Sequence, residues 1–320
     1  MRLGLFLSAQ YEPGVDPGAA LEAILEDVRL ARDVGLSTVA AGQHFLPQPY
    51  WMFQPVPLLA RLAAEAGEMR LATGVLLLPL LNPLEVAETV ASLQVICGGR
   101  LAVGLGLGYR DEEWGAFAVG RSPVRAYEEK LGVLRGLLDG APVTARGDGY
   151  DLRDAALAHV PSPRPPLWLA AVADRAVRRA GRCADGWYMP PMSSLDELER
   201  QVALFRAERP RGEPGELVGF REVLVAETDA EAVRRARPIL EAKYATYAQW
   251  GQADELGSGW ERLAHGRFCV GSAETVRAQL AEHQERLGTS EIHCRVSWPG
   301  SPPEWAHETI ERLGRDVLAA

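Results

Sequence analysis

Lysine, cysteine and long apolar runs are scarce in this chain. Only Lys130 and Lys243 are lysines among 34 lysine and arginine residues. Neither follows a predicted strand, so a lyase or aldolase that works through a lysine Schiff base is improbable. The four cysteines are scattered without the spacing of zinc ligands, and we expect reduced thiols. Gly74 and Pro79 interrupt the longest apolar run, so no membrane span is predicted.

Positive charge is also in deficit. The formal net charge is −9, which argues against a nucleic-acid surface. Apolar residues make up 47% of the chain and charged residues 24%, as in soluble globular proteins. The chain enters a predicted strand at once, without the basic region and apolar core of a signal peptide. We therefore expect a cytoplasmic protein with neither nucleic-acid nor membrane partners.

Several motifs of nucleotide-binding and catalytic sites are missing. The glycines at 104, 106 and 108 do not form the dinucleotide fingerprint, whose third glycine would fall on Tyr109. There is no phosphate-binding loop ending in Gly-Lys-Ser/Thr and no Gly-x-Ser-x-Gly elbow. The chemistry of this chain must therefore be sought at other residues.

One strand–helix–strand unit stands out. Residues 71–78 form a continuous apolar run, which predicts a strand buried on both faces. A helix start follows: Asn82 can cap it, Pro83 has a preset φ, and Glu85 can serve as the capping-box acid. Residues 101–107 give a second buried strand, so the segment is a right-handed βαβ unit.

The same alternation continues along the whole chain and predicts an α/β fold. We expect one closed (β/α)8 TIM barrel spanning residues 1–320, with an open doubly wound sheet as the alternative. Residues 245–267 are polar and hard to place, as expected of a lid or insertion over the site. The predicted barrel strands are residues 2–8, 37–41, 71–78, 101–107, 167–171, 185–189, 217–226 and 291–297.

Glycines lie inside two of the predicted strands. Gly74 in a buried strand indicates a bulge, an unusual peptide or a flat ligand against the backbone. Gly104, Gly106 and Gly108 alternate, so that one face of the next strand carries no side chains. Close packing in a crowded barrel and room for a ligand explain these glycines equally well.

The active site of such a barrel lies at the carboxyl ends of its strands. His44 follows the second predicted strand and is the natural acid/base group, with a structural histidine bonded to Gln43 as the alternative. Free amides at the helix start after the fifth strand could bind an anion, helped by Arg175. The alternative for Arg175 is an ordinary solvated helix face.

In order and spacing, a set of segments resembles the bacterial luciferase-like flavin-dependent oxidoreductases, and the resemblance covers nearly the whole chain. The segments are Gly-Gln-His-Phe at 42–45, Thr-Gly-Val-Leu-Leu-Leu-Pro at 73–79 with Asn82-Pro83, Gly-Arg-Leu-Ala-Val-Gly-Leu-Gly-Leu-Gly-Tyr-Arg at 99–110, Pro-Leu-Trp-Leu-Ala-Ala at 166–171, Arg-Ala at 179–180, Ala-Asp-Gly-Trp at 184–187, Val-Gly-Ser-Ala-Glu-Thr-Val at 270–276 and Arg-Val-Ser-Trp-Pro-Gly at 295–300.

The resemblance implies a barrel that binds flavin mononucleotide (FMN) or the deazaflavin F420. The flavin ring would lie against a non-proline cis peptide between Gly74 and Val75. His44 matches the catalytic histidine of the luciferase α chain, with Gln43 beside it. The implied cofactor-binding residues are Gly74, Val75, Leu107, Tyr109, Arg110, Ala171, Val172, Ala173 and Arg175.

The chain departs from the family pattern at several of these positions. The usual Glu-His-His reads Gln43-His44-Phe45, and Leu107 stands where the family has a phosphate-binding arginine. The Gly-Gly-Ser after the fifth strand reads Ala171-Val172-Ala173, which removes a hydroxyl. These changes weaken a light-emitting function and leave FMN or F420 open.

We therefore expect a flavin-dependent monooxygenase that uses dissociable reduced FMN and O2 to oxidise a small organic substrate. A separate flavin reductase would supply the FMN, and by analogy the chain would form a homodimer. The alternatives are F420-dependent hydride transfer and flavin binding without catalysis. The predicted apolar substrate pocket, each member of which could equally be core packing, consists of Tyr50, Trp51, Phe53, Trp187 and Trp298.

Overall fold

Parallel strands and surrounding helices alternate along the chain. The computed structural model describes residues 1–120, 122–249 and 259–319. Its strands are β1 (Leu3–Leu7), β2 (Gln10–Tyr11), β3 (Thr38–Ala41), β4 (Trp51–Met52), β5 (Arg70–Leu77), β6 (Leu101–Gly106), β7 (Val143–Gly147), β8 (Tyr150–Ala155), β9 (Leu167–Ala170), β10 (Gly186–Tyr188), β11 (Glu216–Val225), β12 (Phe268–Gly271) and β13 (Glu291–Arg295).

The helices pack around these strands. They are α1 (Pro17–Asp33), α2 (Pro55–Leu62), α3 (Pro83–Ile96), α4 (Asp111–Ala116), α5 (Pro123–Leu138), α6 (Asp174–Cys183), α7 (Leu195–Ala207), α8 (Asp229–Gln249), α9 (Trp260–Ala264), α10 (Ala273–Leu287) and α11 (Pro303–Arg312). None of the helices in the described ranges is long and apolar enough to cross a membrane.

Eight of the strands form a closed ring. The order is β1, β3, β5, β6, β9, β10, β11 and β13, and β13 pairs back onto β1. Every pairing in the ring is parallel. The predicted (β/α)8 barrel is therefore confirmed, and the open doubly wound sheet is excluded.

The main sheet has one strand more than the eight of the ring, namely β12, which the sequence analysis does not predict. The second half of β11 continues past the barrel and pairs with β12 through Glu222–Val225. The sequence of β12 is Phe-Cys-Val-Gly, directly after a polar segment. Four residues of this kind are too short for periodicity to distinguish a strand from a helix segment.

The helix starts follow the predicted capping chemistry with one exception. The side chain of Asn82 accepts from the amide of Leu84, and Ser194 and Ser272 cap α7 and α10 in the same way. Asp174 has a side chain of the capping type, but Ala173 is the N-cap of α6 and Asp174 is its first helical residue. The carboxylate of Asp174 binds the guanidinium of Arg200, so it turns away from the amides.

The predicted lid at residues 245–267 is only partly described. Its first residues belong to the end of α8, and α9 and the approach to β12 follow from residue 259. Residues 250–258 lie outside the described residues.

The interior of the barrel combines aromatic rings with small residues. Phe6, Trp168, Tyr188 and Phe220 share it with Val218 and the alanines at 40, 72 and 102. The strand β13 also brings polar groups inside, because Glu291 and His293 are almost fully buried there. The four cysteines are free, as predicted.

Candidate active site

A cavity of about 410 Å³ lies at the carboxyl ends of the barrel strands. We call it the rim cavity. Its volume is in the range of small-molecule sites. Most of its wall is apolar and includes the thioethers of Met52, Met189 and Met192. Its polar wall residues are Ser8, Gln10, Gln43, His44, Tyr109, Tyr188, Tyr247 and Arg295.

Main chain at Gly74 and Val75 forms part of this wall. The peptide between them is cis, as the family resemblance implied. A Cβ atom at position 74 would lie 2.9 Å from Phe6 Cε2 and 2.9 Å from Tyr188 Oη. Because real Cβ contacts are not this short, only glycine fits here without displacing a ring.

The glycines of β6 have a different role from Gly74. A Cβ at Gly104 would lie 2.2 Å from the carbonyl oxygen of Thr73, and one at Gly106 would lie 2.5 Å from Val75 Cγ2. The pairing of β5 with β6 shifts register between Thr73 and Leu76. These two glycines therefore accommodate the irregular backbone of β5, which is the packing explanation, although Gly106 also borders the rim cavity.

His44 lies on the rim cavity and is held by a buried carboxylate. Its Nδ1 is 3.1 Å from Glu113 Oε1, which also accepts the amide of Phe45 at 2.8 Å. The side chain of Glu113 is 1% exposed and that of His44 is 16% exposed. When Nδ1 carries the proton and donates to Glu113, the lone pair is on Nε2, as in a histidine prepared to accept a proton.

Glu113 was not singled out in the sequence. It lies in α4, a short helix that begins directly after Arg110, among the acidic residues of Asp111-Glu112-Glu113. Only its burial distinguishes it, since Glu112 beside it is 70% exposed. A helix of six residues has too little periodicity to reveal an inward-facing member.

Gln43 and Arg110 brace the loop that carries His44. The side-chain oxygen of Gln43 accepts the amide of Leu77 at 2.9 Å, and its nitrogen donates to Gln54. The Arg110 guanidinium donates to the carbonyls of Phe45 and Leu46. Arg110 does not line the rim cavity, so these contacts do not support its predicted role in holding a cofactor phosphate.

Three buried polar atoms of cavity-lining residues lack hydrogen-bond partners among the described residues. They are Gln10 Nε2, Tyr109 Oη and Arg295 Nε. Burial raises the pKa of Tyr109 well above its usual value, so its hydroxyl stays protonated. Because unsatisfied buried polar groups are uncommon and costly, a ligand that bonds to them is expected. Tyr109 thus remains a good candidate for the cofactor contact predicted from the sequence.

Arg295 brings a buried positive charge to the rim cavity. Its guanidinium lies 4.6 Å from the ring centroid of Phe6 and 4.9 Å from that of Phe220. It also lies 3.6 Å from Glu222 Oε1, a carboxylate that contacts the amine of Lys243. Burial would raise the pKa of Glu222, but Lys243 and Arg295 outweigh it and hold that pKa below its usual value.

The aromatic residues predicted to form a substrate pocket do not line the rim cavity. Trp187 is fully buried and donates through Nε1 to the carbonyl of Ala171, and the Nε1 of Trp298 donates to Glu222 Oε2. Tyr50, Trp51 and Phe53 also lie outside its wall, and Trp51 stacks on Tyr11 with centroids 4.6 Å apart. The strand pleat explains Trp187, because its neighbour Tyr188 takes the inward face of β10.

The start of α6 opens towards the rim cavity. Ala171, Val172 and Ala173 line it, and so do Leu107 and Gly108 from the neighbouring strand end. Ala173 caps the helix without a side-chain hydrogen bond, so the first amides of α6 have no capping acceptor from it. Arg175 is exposed and does not line the cavity, which favours the solvated-face explanation for it.

Comparison with known proteins assigns the chain to a family of enzymes. The sequence matches the luciferase-like monooxygenase family over residues 1–291, so the chain belongs to that family. The class predicted from the sequence, a luciferase-like oxidoreductase, is confirmed.

A curated relative, 4-hydroxyprotoasukamycin monooxygenase from Streptomyces nodosus subsp. asukaensis, is 31% identical over 208 residues. That alignment spans 62% of this chain and 56% of the relative, and other curated relatives are matched over a similar part of their length.

Solved structures support the fold. Monooxygenase RslO1 from Streptomyces bottropensis superposes with a TM-score of 0.86 at 22% identity, covering 100% of this chain and 99% of that one. The oxygenating constituent of 3,6-diketocamphane monooxygenase from Pseudomonas putida, in complex with FMN, gives 0.79 at 19% identity, covering 100% and 98%. The F420-dependent tetrahydromethanopterin reductase from Methanopyrus kandleri gives 0.77 at 18%, covering 99% and 98%.

Proposed function

We propose that this chain is a flavin-dependent monooxygenase that binds reduced FMN in the rim cavity and uses O2 to oxidise a small, mainly apolar organic substrate. The observation that carries this proposal is the cavity itself, an apolar space at the strand ends. On its wall, Gln10 Nε2 and Tyr109 Oη have no hydrogen-bond partner in the ranges that the structure describes. The family assignment and the printed names of the monooxygenase relatives support the same reaction class.

The residues present fit a flavin. Main chain at Gly74 and Val75 lies on the cavity wall and would form part of the surface against which the ring rests. Gln10 and Tyr109 offer hydrogen bonds, and Arg295 offers a positive charge for an anionic ring or substrate. The amides of Val172 and Ala173, at the start of α6, would hold the phosphate.

When bound, reduced FMN would supply the two electrons with which O2 is activated. The protein side of the reaction is then proton transfer and exclusion of water. His44, fixed through Nδ1 by Glu113, would hold or release a proton at the imidazole. The apolar wall and the methionines would keep water from the reacting groups.

F420-dependent hydride transfer is the second candidate, because an F420-dependent reductase shares the fold. The test is an anaerobic titration of the pure protein with FMN, dithionite-reduced FMN and F420, followed by fluorescence or equilibrium dialysis. We expect reduced FMN to bind at least about tenfold more tightly than the other two, a difference of about 1.4 kcal/mol. Tighter binding of F420 would replace this proposal by the second candidate, and binding of none would reject both.

Flavin binding without catalysis is tested in the same system. If reduced FMN binds but is oxidised by air at the rate of free reduced FMN, and His44→Ala changes nothing, then the chain is only a carrier. A separate reductase and a homodimer remain part of the proposal. Analytical ultracentrifugation would measure the oligomeric state, and a mass of one chain would contradict the homodimer.

A further inference from the structure

Three charged or titratable residues alternate along β13 and point into the barrel. They are Glu291, His293 and Arg295, separated by Ile292 and Cys294. A Cβ atom on Gly4 of the neighbouring strand would lie 2.7 Å from His293 Cδ2 and 3.2 Å from Glu291 Oε1. The absence of a side chain at Gly4 therefore leaves the space that these two polar side chains occupy. Polar residues in a barrel interior are costly unless they are paired, so the partners of these three side chains decide whether the arrangement is stable.

His293 is joined to the wall of the rim cavity by one hydrogen bond. Tyr188 Oη lies 2.8 Å from His293 Nδ1, and both side chains are buried. Tyr188 lines the rim cavity, and its hydroxyl lies 2.9 Å from the place of a Cβ at Gly74. Tyr188 therefore lies between His293 and the part of the cavity wall that Gly74 forms.

The other nitrogen of His293 faces a carboxylate. His293 Nε2 has no hydrogen-bond partner in the described part of the chain, and it lies 3.9 Å from Glu291 Oε2, an ion-pair separation. Glu291 Oε1 accepts the hydroxyl of Ser37 at 2.5 Å. Burial would raise the pKa of Glu291, but His293, Ser37 and Thr38 outweigh it and lower that pKa to about 2. The carboxylate is therefore ionised at neutral pH.

We propose that Tyr188, His293 and Glu291 form a buried proton relay, in which Tyr188 is a second proton-transfer residue of the rim cavity. The relay deepens the proposed function and rests on it. A ligand proton passes to Tyr188 Oη while the hydroxyl proton of Tyr188 passes to His293 Nδ1. The ligand becomes an anion, Tyr188 stays neutral, and the imidazolium pairs with Glu291. The reverse sequence protonates the ligand.

The surroundings of Tyr188 suit a hydroxyl that accepts one proton, donates another and remains neutral. Burial raises the pKa of Tyr188 well above its usual value, so the phenol does not ionise. The groups around His293 are Glu291 and Arg295 on its own strand, Tyr188 on β10 and the ring of Trp168 on β9, at a centroid distance of 6.0 Å. Arg70 lies 5.5 Å from the Trp168 ring. Glu291 is the negative charge nearest to the imidazole in this set.

A purely structural role for these hydrogen bonds is the alternative. The first measurement tests whether the contacts of His293 exist in solution, and the second separates a relay from the structural role. The first uses the ligand-free protein labelled with ¹⁵N-histidine. Tyr188→Phe should move the Nδ1 resonance of His293, and Glu291→Gln should move Nε2. Cys294→Ala, a buried neighbour on the opposite face of β13, is the matched control and should move neither. Unchanged Nδ1 and Nε2 resonances in the two variants would overturn the relay.

The second measurement follows bound reduced FMN after mixing with O2, in H2O and in D2O. Tyr188→Phe should slow the proton-dependent phase about tenfold or more and reduce its solvent isotope effect, with the Kd for reduced FMN within about twofold of wild type. Glu291→Gln should act in the same direction. The double variant should lose no more than the worse single variant, because residues that act as one unit are not additive.

The outcomes separate the relay from the function on which it rests. If wild-type protein does not bind reduced FMN, the proposed function fails and so does the use of Tyr188 in flavin chemistry. If reduced FMN binds but the isotope effect is unchanged in Tyr188→Phe, or the two variants add, the relay alone fails. Thermal melting checks that each variant is folded. If Tyr188→Phe does not fold, the isotope effect measured on Glu291→Gln tests the relay instead.

Discussion

The hydrogen bond between His44 and Glu113 fixes an imidazole at the edge of the rim cavity. Glu113→Gln keeps the size of the side chain but removes the charge that orients the ring. We expect the oxidation of bound reduced FMN by O2 to slow about 10- to 100-fold, as for other residues that orient a reacting group. Stopped-flow absorbance measures this rate. Glu112→Gln, at an exposed neighbour, is the control, and an equal loss in both variants would contradict the role of Glu113.

Substitution of Gly74 is expected to change both the stability of the protein and the binding of reduced FMN. Alanine at 74 places a methyl group against Phe6 and Tyr188, so overpacking should cost about 1–3 kcal/mol in the free energy of unfolding. Binding of reduced FMN should weaken about tenfold or more if the ring lies on this wall. Urea unfolding and the anaerobic titration measure the two effects. Gly132→Ala, at a helical position with open space, should stabilise α5 slightly and leave binding unchanged.

The sequence predicted some site residues and missed others for identifiable reasons. His44 and Gly74, which lie on the rim cavity, were predicted because strand ends and glycines can be recognised in a buried pattern, whereas Tyr109 was implied only by the family resemblance. Glu113 and Tyr188 were missed, since a short helix and a strand buried on both faces carry no signal of which side faces the site. For the same reason Trp187 was assigned to a pocket that its neighbour Tyr188 lines.

The helix that follows β5 begins at a cap that was predicted from the sequence. Asn82 accepts the amide of Leu84 and also donates to the carbonyl of Gly149. Asn82→Ala should therefore destabilise the protein by about 1 kcal/mol, the usual cost of losing an N-cap. Denaturant unfolding measures it. Ser92→Ala on the exposed face of the same helix should cost nothing, because alanine is the better helix former, and a similar loss there would contradict the capping explanation.

Elements with strong local signals were predicted within a residue or two. The eight barrel strands and the cap at Asn82 agree with the sequence-based boundaries. The strand β12 and the antiparallel pairing of β2 with β4 were not predicted. Their pairing depends on contacts between segments far apart in the chain, which a local pattern does not contain.

At the scale of the whole molecule, the buried carboxylate of Glu291 couples stability to pH. Its pKa is lowered from 4.5 to about 2, so its stabilising effect is present above the unfolded value and is lost as the pH falls towards 2. The stability advantage of wild type over Glu291→Gln should shrink by up to about 3 kcal/mol between about pH 5 and 2. Urea unfolding at a series of pH values measures this difference.

The control for this prediction is Cys294→Ala, whose lost packing does not depend on protonation in the acid range. Its unfolding free energies should run parallel to those of wild type. If the curve for Glu291→Gln were also parallel, the carboxylate would not be held ionised by its neighbours in the folded protein.

The three methionines on the cavity wall have a consequence for the range of substrates that the proposed enzyme would accept. A thioether on an unbranched stem changes shape easily, so Met52, Met189 and Met192 can follow the outline of differently shaped guests. Selectivity among apolar compounds of similar size should then be shallow in the native protein. Replacing these side chains with branched or aromatic ones is the direct way to narrow it, because His44 and Tyr188 themselves would be left unchanged.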